Sequence, residues 1–391
     1  MAAELFNRNV FILGAGFSAR AGAPLIRDFL DHSRELYQDP LSDLTDEERN
    51  RFNEVFEFKR RMGQCREKIE IDLDNIEQLF GLVDVSDRLG TTSPTARSSI
   101  VYLIAKTIQS AIANQKYYNA VGFTLAQNAD IASLPKDWVR PNEGPRRCTA
   151  DMYQIFAALL AGMLDSPVRR KARRNAVISF NYDLVLDCAL RELGVEPFYG
   201  LSGESEDGTH PSVPVLKLHG SLNWAICQKC SSVAVVPAEA TLGPAKIISK
   251  ACPKCSSPYQ PLLVPPSWDK TGYREVMQPV WKRAVEELNN ASRICVIGYS
   301  MPETDAFFKY LLTLGLAENH QLHRLIAVDI NQAVDEKYCQ LLEGLFRERR
   351  YTFFGQGFEM FLASHQAYSL LGRGEFIEDQ IHSYSLEKPR S

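Results

Sequence analysis

The pattern of apolar and polar positions divides the chain into an opening strand, a long helical stretch, and a second half where short apolar runs alternate with helices. Asn9-Val10-Phe11-Ile12-Leu13 is a compact apolar run leading directly into Gly14-Ala15-Gly16-Phe17-Ser18-Ala19, which reads as a buried strand feeding a glycine turn. From about residue 25 to 125 the chain is rich in Glu, Arg, Leu and Phe and predicts helices rather than strands. Thr45 with Glu48 three residues later is a capping-box start. Ser93-Pro94 breaks the helical run before a helix predicted from Thr95 to Gln115. Leu134 to Pro145 carries three prolines and a glycine and predicts a loop, and a helix is expected from Met152 to Leu164.

Strand signals then return. They are Ala176–Phe180, Val215–Leu218, Leu262–Val264, Arg293–Ile297 and Leu325–Val328, with a loop over residues 202–214 and helices at Val276–Asn290, Asp305–Leu316 and Phe358–Leu371. Short apolar strands alternating with helices predict an α/β fold with a doubly wound, mostly parallel, Rossmann-like sheet. The chain shows neither an internal repeat nor a low-complexity tract.

Composition narrows the function classes. The chain has 391 residues, 45% of them hydrophobic and 24% charged, which excludes a mostly disordered chain. Its 44 basic and 48 acidic residues give a net charge of -4, which argues against coating nucleic acid by bulk charge. No apolar run approaches the roughly 20 residues that span a bilayer, and the first ten residues are too polar for a signal peptide, so the expected address is the cytoplasm, with no membrane partner. Nine cysteines, an odd number, do not suggest a disulfide framework.

Metal ligation explains four of those cysteines. Cys227-Gln228-Lys229-Cys230 and Cys252-Pro253-Lys254-Cys255 are two C-x-x-C pairs with ribbon-type spacing, each a knuckle supplying two thiolates. Four thiolates close a tetrahedral shell, so the expected ion is one structural zinc. Cys65, Cys148, Cys188, Cys295 and Cys339 lack such spacing and read as ordinary apolar residues.

Candidate chemistry falls after the strands, where ligands bind in open α/β sheets. The Gly14 turn suits a phosphate, because glycines admit backbone N–H groups close to it. An acid ending a second strand about 20 residues on, as a hydride-transfer unit requires, is replaced by helical sequence, which counts against a dehydrogenase. Asn181 and Asp183 follow one strand, and either hold a ligand or cap the next helix. His219 follows another and can relay a proton near neutral pH. Gly298-Tyr299-Ser300-Met301-Pro302-Glu303-Thr304-Asp305 and Asp329-Ile330-Asn331 follow two more, with Gly298, Ser300 and Asn331 suited to a ribose or phosphate. The basic run Arg169-Arg170-Lys171-Ala172-Arg173-Arg174 reads as a solvated helix end or a nucleic-acid contact.

Together these motifs resemble the sirtuin superfamily. Gly14-Ala15-Gly16-Phe17-Ser18 with Ala21-Gly22-Ala23-Pro24 resembles the sirtuin glycine motif, Phe180-Asn181-Tyr182-Asp183 the Gln-Asn-Ile-Asp segment, and His219-Gly220-Ser221 the catalytic histidine motif. The first zinc cysteine comes eight residues after that histidine, as in sirtuins. Gly298-Tyr299-Ser300 resembles the glycine-threonine-serine segment, and Asp329-Ile330-Asn331 the later asparagine segment. Where protein deacylases carry a Phe-Gly-Glu strand that pairs with peptide substrate, this chain reads Val264-Pro265-Pro266, and prolines cannot donate to a ladder. The helical stretch after Pro24 is also longer than a deacylase cofactor loop. In these departures the chain looks like the sirtuin-like NAD hydrolases of prokaryotic anti-phage defence.

The resemblance implies a sirtuin-type sheet, interrupted by a helical insertion and a small zinc ribbon. The expected division is residues 1–30, 151–225 and 261–358 for the NAD-binding domain, 31–150 for the insertion, 226–260 for the ribbon and 359–391 for a closing helix and tail. It implies NAD as substrate, cleaved to ADP-ribose and nicotinamide, with Asn181, His219 and Asp183 as catalytic residues. The same three residues, with Gly14, Ala15, Gly16, Ser18, Pro24, Gly298, Ser300 and Asn331, are the implied NAD-binding set. It also implies a homo-oligomer restrained at rest, with a separate partner such as a HerA-type ATPase or a short Argonaute. The alternatives are an NAD-dependent protein-lysine deacylase and a nucleic-acid-associated or nucleotide-sensing subunit.

Overall fold

The computed structural model describes residues 8–64, 68, 70–113, 120–124, 136, 147–163, 174–204, 211–236, 247, 250–265, 273–302 and 305–364. The apolar run after Arg8 is strand β1 (Arg8–Leu13), buried at every position but the first. A strand covered on both faces belongs in the middle of a parallel sheet, and β1 lies there. In chain order the further strands are β2 (Ala120–Thr124), β3 (Arg147–Asp151), β4 (Arg174–Ser179), β5 (Glu196–Phe198), β6 (Ser212–Lys217), β7 (Gly220–Cys227), β8 (Val233–Val235), β9 (Tyr259–Leu263), β10 (Arg293–Ile297), β11 (Arg324–Val328) and β12 (Tyr351–Phe354). Seven of them form one sheet in the order β12-β11-β10-β1-β4-β6-β5, with every pairing parallel. This is the doubly wound architecture that the alternating pattern predicts.

From β1 the chain steps to β4, then to the edge strand β5 and back inward to β6, and later returns to β10 on the other side of β1 and winds through β11 and β12. Right-handed crossovers that advance in opposite directions put their helices on opposite faces and leave a crevice at the reversal, between β1 and β10. The register sharpens this crevice. Leu13 pairs with Ser179 and Ile297, Ile297 pairs with Val328, and Ser179 pairs with Lys217. Gly14, Phe180, Leu218, Gly298 and Asp329 therefore form one row, one residue past the strand ends.

Two glycine turns meet on that row. Gly14 N–H donates to the Ile297 carbonyl at 3.0 Å, and Gly16 N–H to the Gly298 carbonyl at 2.9 Å. A Cβ on Gly14 would lie 2.6 Å from the Gly298 oxygen, and one on Gly16 2.8 Å from the Gly298 Cα. Gly298 itself has φ +62°, in the left-handed region that glycine enters without strain.

The helical insertion has its own apolar core. Helices Phe29–Gln38, Asp46–Gly63, Ile76–Arg88 and Ala96–Ala113 bury Phe52, Leu79, Phe80, Ile100 and Leu103. The Thr45 capping box forms as expected, with the Glu48 carboxylate accepting from Thr45 N–H at 2.6 Å. Leu222 and Leu263, from β7 and β9, complete this core and tie the insertion to the base of the ribbon. A third small core, with Ala225, Val236, Ile247 and Tyr259, belongs to the ribbon itself.

Some expectations differ from the structure. Ala120–Thr124 is a strand, paired antiparallel with Arg147–Asp151, inside a stretch whose sequence predicts none. The pair has no apolar alternation of its own, and its partner is distant in sequence, so no local signal marks it. Strand β12 is half-buried along its whole length at the sheet edge and likewise lacks a strong apolar run. The loop predicted over Leu134–Pro145, apart from Lys136, and the basic run Arg169–Arg173 lie outside the described residues, as does the C-terminal helix beyond Ser364.

Substitution Gly298→Ala places a Cβ in a left-handed conformation against Phe17 N and Gly16. It is expected to cost at least about 2 kcal/mol of unfolding free energy, read by denaturant titration. A variant as stable as wild type would show that the two turns do not constrain each other.

Candidate functional site

A cavity of about 630 Å³ opens over the row of strand ends. One wall carries Ala15, Gly16 and Pro24, and the floor carries Asn181, Asp183 and His219. The far side carries Gly298, Ser300 and Asn331. The insertion contributes Ile76, Glu77, Phe80 and Ile104 to the lining. Nine of the eleven residues expected to hold the nucleotide thus line one space. Gly14 and Ser18 lie behind it.

Ser18 is fully buried and accepts a hydrogen bond from Asn181 Nδ2 at 3.0 Å, while the same Nδ2 donates to the Gly14 carbonyl at 2.9 Å. Both donors of the Asn181 amide are thereby fixed on the glycine turn, which leaves its carbonyl oxygen to present to a ligand. Asn181 and the glycine turn, 163 residues apart in chain position by the Ser18 contact, act as one rigid unit.

Asp183 is buried and accepts from Val185 N–H at 3.0 Å, so it also starts the following helix. Burial pushes its carboxyl above the usual range, and the nearby Lys217 ammonium pulls it back. Lys217 is itself buried. It donates to the Asp183 main-chain oxygen and sits 3.1 Å from Asp187 Oδ2. Asp187 Oδ1 accepts from the Tyr199 hydroxyl at 2.5 Å. This charged pair beneath the floor fixes the chain around Asp183.

His219 is 4% exposed, and its ring packs edge-on against Phe180 at 5.3 Å. Its Nε2 lies 3.6 Å from Asp305 Oδ2, within ion-pair distance, and that same oxygen accepts from the Tyr299 hydroxyl at 2.8 Å. Burial holds the Tyr299 hydroxyl well above its ordinary pKa, so it remains a neutral donor. The Tyr299–Asp305–His219 chain can stabilise a protonated imidazole. Sequence reasoning placed Asp305 in a motif but gave it no role, because only the tertiary fold brings residue 305 to residue 219.

Gly220, next to His219, has φ +84°, and a Cβ there would strike the Leu262 carbonyl. From this turn β7 runs to Cys227, with a shift in its pairing register between Gly220 and Ala225, so the histidine and the first cysteine of the cluster lie at the two ends of one strand. The strand β9 and its continuation cover the other side, with Val264 N–H donating to the His219 carbonyl at 2.8 Å. Asn331 is exposed, and its Oδ1 accepts from Ala333 N–H at 3.1 Å, a capping role that coexists with its place on the cavity wall.

The four cysteines converge. Their Sγ atoms all lie within 4.8 Å of one another, with separations such as 3.3 Å for Cys227–Cys255 and 3.6 Å for Cys230–Cys252. Tetrahedral zinc with Zn–S bonds of about 2.3 Å sets Sγ atoms roughly 3.8 Å apart. The two pairs also share one backbone shape. Ser231 (φ 54°) and Ser256 (φ 57°) each follow the second cysteine of a pair, and their N–H groups donate to Cys227 and Cys252 carbonyls, both at 2.8 Å. Two equivalent knuckles facing each other fit a structural zinc, held with no position left open for substrate.

No family model matches the chain, and no curated protein matches it. Among solved structures, a Sir2Tm complex with a propionylated peptide is similar at 14% identity and a TM-score of 0.37, covering 91% of this chain and 90% of that one. A structure described as the basis for the mechanism and regulation of Sir2 enzymes is similar at 14% identity and a TM-score of 0.39, covering 95% and 94%. A Sir2 variant with a deacetylated p53 peptide and 3'-O-acetyl ADP-ribose is similar at 14% identity and a TM-score of 0.40, covering 95% and 98%.

Two measurements check this site. The purified chain is expected to carry one zinc ion by elemental analysis and to lose both zinc and thermal stability in Cys252→Ser; a zinc-free wild-type chain of unchanged stability would contradict the ribbon. Asp187→Ala leaves the Lys217 ammonium buried without its counter-charge and is expected to destabilise by about 3–5 kcal/mol. Tyr199→Phe removes one hydrogen bond and is expected to cost only about 1 kcal/mol. Equal effects from the two changes would show that the ion pair is not the anchor.

Proposed function

We propose that the chain binds NAD across the row of strand ends and hydrolyses the nicotinamide–ribose bond, releasing nicotinamide and ADP-ribose. The observation that carries this reading is the single cavity joining Gly16, Asn181, His219, Gly298 and Asn331, five motifs that are far apart in sequence. Its shape and chemistry suit an extended dinucleotide, with the adenosine end toward Asn331 and the nicotinamide ribose between Asn181 and His219.

Cleavage proceeds through a sugar cation, so the protein's task is to hold the ribose and place a water molecule. The Asn181 carbonyl oxygen, fixed by the two bonds of its amide, accepts from a ribose hydroxyl or from the attacking water. As the water oxygen bonds to the anomeric carbon and nicotinamide departs, His219 takes the proton, and Asp305 stabilises the resulting imidazolium. Asp183 holds the Asn181 segment in place. The apolar side chains that the insertion adds to the lining, Ile76, Phe80 and Ile104, limit bulk water around the reacting carbon. A zinc ion held by the four cysteines beyond the far end of β7 would maintain the ribbon and take no part in the step.

A protein deacylase would need a substrate strand beside β9. Here Val264 N–H is already bonded to the His219 carbonyl, and Pro265 offers no donor, which supports hydrolysis over acyl transfer to a peptide-borne lysine. The motif resemblance further supports a role as the NAD-consuming effector of an anti-phage system, silent until an oligomer or a partner protein assembles with it.

The test is product analysis with NAD alone, on the isolated chain and on its native assembly. Nicotinamide and ADP-ribose are expected in equal amounts, with turnover reduced by at least about 100-fold in Asn181→Ala and in His219→Ala. NAD loss that strictly requires an acyl-lysine peptide would establish the deacylase instead. No NAD loss in any assembly, with or without that peptide, would remove both.

A further inference from the structure

The glycine turn does not offer its inner amides to a phosphate. Gly14 and Gly16 N–H groups donate to the Ile297 and Gly298 carbonyls, and Phe17 N–H donates back to the Gly14 carbonyl. A diphosphate bound here therefore needs a cation. Among the described residues the cavity wall supplies two arginines, Arg20 and Arg27, against the carboxyl groups of Glu77, Asp183, Asp305, Asp329 and Glu359.

Arg20 stands in the turn of 3-10 helix that follows the glycine motif. Its guanidinium meets Glu359 in a two-bond fork: Nε donates to Oε2 at 3.0 Å, and Nη2 lies 2.5 Å from Oε1. That is the geometry in which a guanidinium also holds two phosphate oxygens. Glu359 is held there by its neighbours. Phe358 packs 4.8 Å from Phe17 and 5.3 Å from Phe156, and Phe361 is fully buried. The Arg20 side chain is 67% exposed, whereas that of Glu359 is 30% exposed, so the arginine has room to turn and the acid does not.

We infer that Arg20 is the diphosphate-binding residue of this cavity and that Glu359, carried on the C-terminal helix, occupies it as an internal competitor in the ligand-free chain. The carboxylate fork stands where phosphate oxygens go. Release of Arg20 from Glu359 becomes part of nucleotide binding, and any partner that shifts the Phe358–Ala363 helix changes nucleotide affinity through this one ion pair. The inference rests on the dinucleotide reading of the cavity but not on the cleavage reaction.

The experiment is calorimetric titration of the full chain with inorganic pyrophosphate and, separately, with ADP-ribose, in wild type, Glu359→Gln, Arg20→Met and the double variant. Both ligands are expected to bind Glu359→Gln about three- to tenfold more tightly than wild type, with the gain shrinking at high salt. Arg20→Met is expected to bind both more weakly, and adding Glu359→Gln to it to give no further gain, because the competed group is gone. An unchanged affinity in Glu359→Gln, or a gain that persists in the double variant, overturns the competitor role. Unchanged affinity in Arg20→Met, or no binding to any variant, overturns the assignment of Arg20. Binding that follows the expected pattern in a chain that never consumes NAD would keep this inference and remove the hydrolase reading.

Discussion

The close approach of two glycine turns, Gly14-Ala15-Gly16 after β1 and Gly298 after β10, is the contact on which the rest of the site depends. Backbone meets backbone there, and side chains at these positions would separate the strands where the sheet reverses direction. The contact fixes Gly14 O, and Gly14 O in turn fixes the Asn181 amide. It also sets Tyr299 beside Phe180, with ring centroids 4.4 Å apart, so that the Tyr299 hydroxyl reaches Asp305 and Asp305 reaches His219. A single steric requirement at the switch point thus aligns the amide and the imidazole on the two sides of the cavity.

Electrostatics then divides the site into two layers. Beneath the floor, Lys217 and Asp187 form a buried pair that is structural, and its charge bears on Asp183. At the floor, Asp305 Oδ2 faces His219 Nε2 at 3.6 Å, and in the proposed hydrolysis it would supply the counter-charge for an imidazolium. Lys217 and His219 are two residues apart at the end of β6, the first paired with Asp187 and the second facing Asp305. The ribbon supports this arrangement from a distance. Its knuckles end β7 at Cys227, and β7 begins at Gly220, so order in the ribbon bears on the backbone that holds His219.

Most of the central sheet is legible in the sequence because its strands are buried on both faces and read as continuous apolar runs. β1, β10 and β11 are of this kind. The cysteine pairs are legible because metal chemistry demands a local spacing, and the Thr45 cap because it is a local hydrogen-bond exchange. What escaped is what depends on distant partners. β12 is only half-buried, and the β2–β3 pair carries no apolar alternation in its sequence. The Asp305 contact with His219 joins residues 86 positions apart, and the Arg20 fork with Glu359 joins residues 339 positions apart. The glycine motif also reads differently in three dimensions. Its spacing suggested amides aimed at phosphate, whereas the Gly14 and Gly16 amides lock the two turns together.

The central claim is that the row of strand ends forms one dinucleotide site, and a crystal structure of the His219→Ala chain with NAD tests it most directly. The expected complex has the diphosphate against Gly16 and Arg20, the adenosine toward Asn331, and the nicotinamide ribose within hydrogen-bond distance of Asn181. NAD bound outside this cavity, or bound here with its nicotinamide ribose remote from Asn181, would contradict it.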